Sequence, residues 1–152
     1  MTAAVRPSLA DFSHRLSLAV RWGDMDALGH VNNVKFFTYD EQARLQYFEA
    51  IAAIQPGFWQ TSGIILAKIG CDFLQQLRYP ARLDIGLRIS RLGRSSLDTE
   101  AAMFEGERLV AVTRGTLVWF DYSQQKPVPI PEAVRDLIRR REVVPPQEAT
   151  AA

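Results

Sequence analysis

Apolar residues alternate from His14 to Trp22, where Leu16, Leu18 and Val20 are separated by polar or small side chains. Period-two alternation marks a half-buried strand, so the first element is predicted to be a β-strand. The period then changes. Between Val34 and Ile54 there is no proline or glycine, and Phe36, Ala43, Tyr47, Ala50, Ile51 and Ile54 share one side of a helical wheel. That predicts an amphipathic helix of about twenty residues, stopped by Pro56-Gly57.

Four strand-like runs follow, Ile64 to Leu77, Arg82 to Arg91, Ser96 to Phe104 and Arg108 to Asp121. In the second, Leu83, Ile85, Leu87 and Ile89 alternate with Arg82, Asp84, Gly86, Arg88 and Ser90. One face should therefore be buried and the other polar or close to a ligand. Gly93 and Gly106 mark short breaks where hairpin turns often need positive φ, so the strands are expected to run as an antiparallel meander. Pro127, Pro129 and Pro131 stop the sheet, and a short basic helix is predicted from Pro131 to Arg141. The expectation is a single α+β domain over residues 14–141, its long helix lying across a sheet, with residues 1–13 and 142–152 as flexible termini.

A chain of 152 residues suits one domain and one core. Its 18 Lys and Arg against 17 Asp and Glu leave a net charge of +1, which gives no electrostatic case for a nucleic-acid or membrane surface. Any anion site must be local. The single cysteine, Cys71, rules out an internal disulfide and suits a reducing cytoplasm. No apolar run reaches signal-peptide or membrane-spanning character, so the protein is expected to be soluble and cytoplasmic.

The chemistry concentrates between Arg21 and Asn33, where Asp24, Asp26, Gly29, His30, Asn32 and Asn33 lead into the long helix. A helix start leaves backbone N–H groups unpaired, and unpaired donors attract developing negative charge. Two acids and a histidine near such a start are compatible with an acid/base pair or with a helix cap. A metal site is disfavoured, because the separated ligand set it needs is missing. Asp24 reads as a turn former held in structural reserve, and His14 as a surface residue. On the helix, Asp40, Glu41 and Arg44 have the spacing of an ion-pair network, with a pocket-lining carboxylate as the alternative. Arg88, Arg91, Arg94, Ser95 and Ser96 cluster around one strand-to-strand turn, a composition suited to phosphate. Trp22, Phe58, Trp59, Phe73, Met103, Trp119 and Phe120 are expected in the core or at subunit contacts, and Cys71 to be buried and inert. No Gly-x-Ser-x-Gly elbow supports a serine hydrolase.

Trp22-Gly23-Asp24-Met25-Asp26-Ala27-Leu28-Gly29-His30-Val31-Asn32-Asn33, followed by Glu41-Gln42-Ala43-Arg44, resembles the 4-hydroxybenzoyl-CoA thioesterase-like acyl-CoA thioesterases, which have the hotdog fold. Leu77-Arg78-Tyr79-Pro80-Ala81-Arg82-Leu83, Leu92-Gly93-Arg94-Ser95-Ser96 and Val118-Trp119-Phe120-Asp121 extend the likeness. The resemblance implies a five-stranded antiparallel sheet wrapped around the helix. It also implies subunits paired edge to edge, as a homodimer or homotetramer with interfacial active sites.

The implied activity is hydrolysis of a fatty or aromatic acyl-CoA to free acid and coenzyme A. No metal or redox cofactor is implied, since coenzyme A is part of the substrate, and acyl-carrier protein is an alternative acyl donor. Asp26 matches the family's catalytic carboxylate, as nucleophile or as general base. Asn33 matches the helix-start position whose backbone N–H faces the thioester oxygen. Gly29 and His30 would shape the entrance, and Arg91, Arg94, Ser95 and Ser96 would hold the nucleotide end of coenzyme A. Several relatives carry Tyr or His at the position of Asn33, and Gly29-His30-Val31-Asn32-Asn33 resembles the branch acting on long-chain or poorly defined acyl-CoAs. Two further readings stand beside this one. The first is a non-catalytic module that binds acyl-CoA or acyl-carrier protein. The second is a hydratase or dehydratase, which would want a His-containing acid/base pair.

Overall fold

The structure is a computed structural model that describes residues 6–148, so the outermost parts of the expected flexible termini, residues 1–5 and 149–152, lie outside the described residues. β1 (His14–Ala19) leads through a 3₁₀ turn into α1 (Asn33–Ala52), and β2 (Ser62–Phe73), β3 (Arg82–Leu92), β4 (Ser96–Glu105) and β5 (Arg108–Asp121) follow. Two-residue β6 (Lys126–Pro127), α2 (Glu132–Arg141) and two-residue β7 (Gln147–Glu148) complete the described chain. The long strands form one antiparallel sheet in the order β1-β3-β4-β5-β2, with β6 on β5 and β7 parallel to β3.

Only β3, β4 and β5 make the expected meander. β2 pairs with β5, from Ser62 opposite Asp121 to Phe73 opposite Ala111, and not with β3. Both sides of β3 are taken, by β1 and by β4, so residues 74–81 carry the chain past the start of α1 from the β2 edge to β3, next to the opposite edge. On the way Leu77 accepts a hydrogen bond from the Val31 N–H, and Ala81 accepts one from the Val20 N–H. This crossing ties the loop before α1 to the sheet. It also explains why β2 ends at Phe73, short of the predicted Leu77.

The core forms between α1 and the sheet. Leu83, Ile85, Leu87 and Ile89 are fully buried, as the alternation of β3 requires. From α1 come Phe36, Tyr39, Ala43, Tyr47, Phe48 and Ile51. Ala50 and Ile54, expected on the buried side, are exposed; Ile54 lies beyond the helix end, and in the last turn Ile51 faces the core in place of Ala50. Of the aromatic set, Phe58, Met103 and Trp119 are buried, whereas Trp22, Trp59 and Phe73 are exposed.

The segments assigned to flexible termini hold defined positions where they are described. Ser8 caps a 3₁₀ turn over Leu9–Asp11, and Phe12 is fully buried over Gly86, where a Cβ would collide with its ring. Glycine is thus required in β3 for close packing and not for a turn. At the other end, Glu142 is buried, and its Oε1 accepts from the Tyr47 hydroxyl and the Ile89 N–H. His14, expected at the surface, is half-buried between helices. Its Nε2–H donates to the Ala43 carbonyl, and its Nδ1 accepts from Arg141. Of the two turn glycines, Gly106 has positive φ and Gly93 does not.

Candidate active site

After β1 the chain enters the 3₁₀ turn Trp22–Asp24, and Asp24 ends up 2% exposed. Its Oδ2 accepts from the Arg21 N–H at 3.0 Å and from the Tyr39 hydroxyl at 2.7 Å, and its backbone carbonyl accepts from the Asn32 N–H at 2.9 Å. Burial by itself would raise its pKa. The hydrogen bonds from Arg21 and Tyr39, with the positive charges of Arg21 and Lys35, hold it below the usual carboxylate range. Asp24 therefore pins both ends of the next loop, to α1 through Tyr39 and to the helix start through Asn32.

That loop closes on itself. Met25 bridges Val31, the Asp26 N–H donates to the His30 carbonyl at 2.9 Å, and the Gly29 N–H donates to the Asp26 carbonyl at 3.1 Å. Gly29 has φ +81°, a conformation costly for any residue with a Cβ. The Leu28 N–H donates to Asp26 Oδ1 at 2.9 Å, while Oδ2 has no protein partner among the described residues. Half-buried Asp26 thus keeps one carboxylate oxygen free of protein partners in a fixed turn.

At the helix start, Asn32 is the N-cap. Its side chain accepts from the Val34 N–H at 3.0 Å, and its carbonyl accepts from the Lys35 N–H at 2.9 Å. With the Asn32 N–H bonded to Asp24, the Asn33 N–H remains without a protein partner among the described residues. It lies at the positive end of the helix dipole. The exposed Asn33 side chain adds no hydrogen bond to this arrangement.

A pocket of about 270 Å³ opens beside this amide, between the first turn of α1 and the end of β2, with His30, Asn33, Phe36, Phe73 and Leu77 among its walls. The Arg78 guanidinium sits 3.1 Å from His30 Nε2. A larger groove of about 440 Å³ lies on the other side of α1, along β1, and includes Asp24, Tyr39 and Glu41. Asp26 lines neither; it sits on the loop that carries His30.

The fold thus gathers Asp26, Gly29, His30 and Asn33. It does not gather Arg91, Arg94, Ser95 and Ser96 with them in the same chain. Those residues surround the β3–β4 turn at the far end of β3, whose eleven residues span about 33 Å. Arg91 is held bidentately by Asp98, at 2.7 and 3.0 Å, and donates to Ser96 Oγ at 3.0 Å. These Arg91 bonds, helped by Thr116, keep the Asp98 carboxyl below its usual range against the opposing effect of burial. Arg94 is exposed, with no side-chain partner among the described residues.

On α1, Asp40 is 1% exposed, with Oδ1 accepting from Thr113 and Oδ2 from Arg44, each at 2.5 Å. Both oxygens are occupied, which favours the ion-pair reading, and the partner of Arg44 is Asp40 and not Glu41. Burial, then the charges of Asp72 and Asp40, push the Cys71 thiol up to about 11, so it is unreactive at neutral pH. Tyr39 and Phe73 escaped the sequence reading as site residues. Tyr39 lies fifteen residues from the Asp24 it serves, and Phe73 reaches the pocket only because β2 ends beside the first turn of α1.

No cluster of three His, Cys, Asp or Glu side chains that could hold a metal ion occurs among the described residues, and no described helix is long and apolar enough to cross a membrane. A thioesterase of Thermus thermophilus, solved with coenzyme A and zinc, matches with a TM-score of 0.78 at 36% identity, over 89% of this chain and 98% of that one. The Bacillus subtilis protein YsmA, itself uncharacterised, is 33% identical over 86 residues, 57% of each chain. A chloroplastic acyl-acyl carrier protein thioesterase of Arabidopsis thaliana is 26% identical over 125 residues, 80% of this chain and 66% of that one. The chain therefore spans 57% and 66% of the lengths of these two curated relatives. The family description "thioesterase-like superfamily" matches residues 20–138.

Proposed function

We propose that this chain, which belongs to the thioesterase-like superfamily and has its hotdog fold, is a thioester hydrolase converting acyl-CoA and water to a carboxylic acid and coenzyme A. The observation that carries the reading is the Asn33 N–H without a protein partner on the wall of a pocket, seven residues after Asp26, whose Oδ2 is likewise without one on the loop that leads into the helix. A thioester carbonyl oxygen placed on that amide gains stabilisation as it turns into an oxyanion, from the N–H and from the helix dipole. Asp26 either attacks the carbonyl carbon, expelling the thiolate and leaving an anhydride for water to open, or takes a proton from the attacking water. Gly29 sets the turn that aims Asp26, and His30 walls the entrance. Coenzyme A enters as part of the substrate, and neither route as written uses a metal or redox group.

The reading extends to a dimer. β2 is a sheet edge with Ile65, Leu66, Phe73 and Leu74 exposed, the kind of apolar edge that seeks a partner. Antiparallel pairing of two β2 edges would set the partner's β3–β4 turn about three strand spacings, or about 15 Å, from this chain's Asn33. That would reunite Arg94, Ser95 and Ser96 of the opposite subunit with the catalytic loop, Arg94 being freer than Arg91 to take a phosphate. The Arabidopsis relative supports acyl-carrier protein as an alternative donor, and the single Cys71 suits a cytoplasmic setting.

The test is hydrolysis of acyl-CoA and acyl-carrier-protein thioesters, followed with a thiol reagent, by the wild type and by Asp26→Asn. Equal rates would remove Asp26 from the mechanism. Tight acyl-CoA binding without cleavage would favour the non-catalytic module. Light scattering reads the dimer.

A further inference from the structure

We infer that Arg135 of α2 is a positioning residue for the substrate's phosphate: by holding the carbonyls of the β3–β4 turn, it turns the amides of Arg94 and Ser95 outward to receive that anion. The inference rests on the thioesterase reading and on coenzyme A meeting this turn; Arg135 itself lies on neither the turn nor the catalytic loop.

The turn is narrow, the Gly93 N–H donating to the Ser96 carbonyl at 2.7 Å. Three successive carbonyls are tied back to the body of the protein. Arg135 Nη2 donates to the Gly93 carbonyl and, at 2.9 Å, to the Arg94 carbonyl, which also accepts from the Ile130 N–H at 2.9 Å. The Ser95 carbonyl accepts from the Trp119 N–H at 2.7 Å. In a planar trans peptide the C=O of one residue and the N–H of the next point in opposite directions. Holding the Gly93 and Arg94 carbonyls toward α2 therefore turns the Arg94 and Ser95 N–H groups away from it. Neither N–H has a protein partner among the described residues. Two successive bare amides beside the exposed Arg94 guanidinium are the donor set that a phosphate takes.

Arg135 is placed for this task and not as a surface cation. Its side chain is 15% exposed, and its Nε reaches the Ile130 carbonyl at 3.4 Å. Glu148, at 4.0 Å, is its one carboxylate neighbour within that distance among the described residues. The guanidinium is thus engaged chiefly by carbonyls, three of them at once. A forked donor can span successive carbonyls, and the point charge of a lysine cannot. Without Arg135 the Gly93 carbonyl loses its only protein partner among the described residues, which frees the Gly93–Arg94 peptide to turn its N–H inward.

The full-length wild type, Arg135→Leu and Arg135→Lys are compared on three thioesters of the acyl group that the wild type cleaves fastest: acyl-CoA, acyl-4′-phosphopantetheine and acyl-pantetheine, which has no phosphate. Arg135→Leu is expected to raise KM for acyl-CoA about tenfold, with kcat unchanged and KM for acyl-pantetheine unchanged. A matching rise on acyl-phosphopantetheine assigns the phosphate next to pantetheine, which coenzyme A and carrier protein share. A rise on acyl-CoA alone assigns a phosphate of the nucleotide end; both results support the inference. Arg135→Lys keeps the charge and is expected to raise the same KM by a smaller factor, about two- to threefold. It carries the test if the leucine variant does not fold, and an unchanged KM there overturns the inference. Equal changes on acyl-CoA and acyl-pantetheine, or a fall in kcat on both, would make Arg135 a structural residue and overturn the inference while the thioesterase reading stands. Cleavage of none of the three by the wild type overturns both.

Discussion

The first turn of α1 and the rest of the helix follow opposite rules. At the start, the Asn33 N–H beside a pocket, and Asp26 Oδ2 on the loop before it, are left without protein partners among the described residues. Further along, Asp40 has both oxygens bonded, and Tyr47 is fully buried with its hydroxyl on Glu142 and the Arg141 guanidinium 4.2 Å from its ring centre. Water can satisfy a bare donor or acceptor at a mouth and cannot do so inside, so a polar group left bare is tolerable only where a substrate or solvent can reach it. One interior atom breaks the rule. Glu142 Oε2 is the only buried side-chain polar atom without a partner among the described residues, and burial raises that carboxyl's pKa. The difference separates a region with polar groups left bare at the surface from one whose polar groups are nearly all paired inside.

The contrast breaks most visibly at Asp26. Asp26→Asn should lower thioester hydrolysis by about 10²-fold or more at an unchanged melting temperature; a comparable loss of thermal stability would mean that the loop is structural. Tyr47→Phe should do the reverse. Stripping the hydroxyl from Glu142 should cost about 1–3 kcal/mol, read as a lower melting temperature, with kcat of the folded protein intact. Tyr39 sits on the holding part of the helix but serves the acting loop. Tyr39→Phe should cost about 1 kcal/mol and also lower kcat severalfold while leaving KM unchanged, since Asp24 would no longer be tied to α1.

The smallest effect is a pH dependence at His14. Burial, then the neighbouring Arg141, lower its pKa below the usual 6.5, against a smaller raising effect of the Ala43 carbonyl. The folded state then binds a proton less readily than the unfolded chain, so the His14 contribution is present above pH 6.5 and is lost as pH falls from there through the folded value. The raised pKa of Glu142 works in the other sense, its contribution being present below 4.5 and lost as pH rises through the folded value. Comparing melting curves of the wild type and His14→Gln isolates the histidine. The advantage of the wild type should shrink as pH drops below 6.5, and a constant gap would show that His14 does not titrate in the fold.

Much of this was legible in the chain. β3 was readable because Leu83, Ile85, Leu87 and Ile89 alternate without interruption, and α1 because twenty residues lack proline and glycine. The loop from Asp24 to Asn33 was readable because its turn, cap and candidate acid are neighbours in sequence. Three features were not. β2 looks like the next strand of a meander, and only the occupation of both sides of β3 sends it to β5. Arg91 and Arg94 look like companions of Asp26 in a list of polar residues, yet one strand's length separates them. The terminal segments look like polar tails, and their anchors, Phe12 on Gly86 and Glu142 on Tyr47, depend on partners 74 and 95 positions away.

The sequence by itself determined what is local: the elements, the glycine turn, the capped helix start and the exposed amide that follows from it, because these depend on contacts within a few residues. Only the tertiary structure decided which strand lies at the edge, which of two acids is fully buried and which is half-buried, and which side chains wall the pocket. Those depend on side chains brought together from distant positions, Tyr39 on Asp24 and Thr113 on Asp40, whose cost of burial is met only once the sheet has closed around the helix.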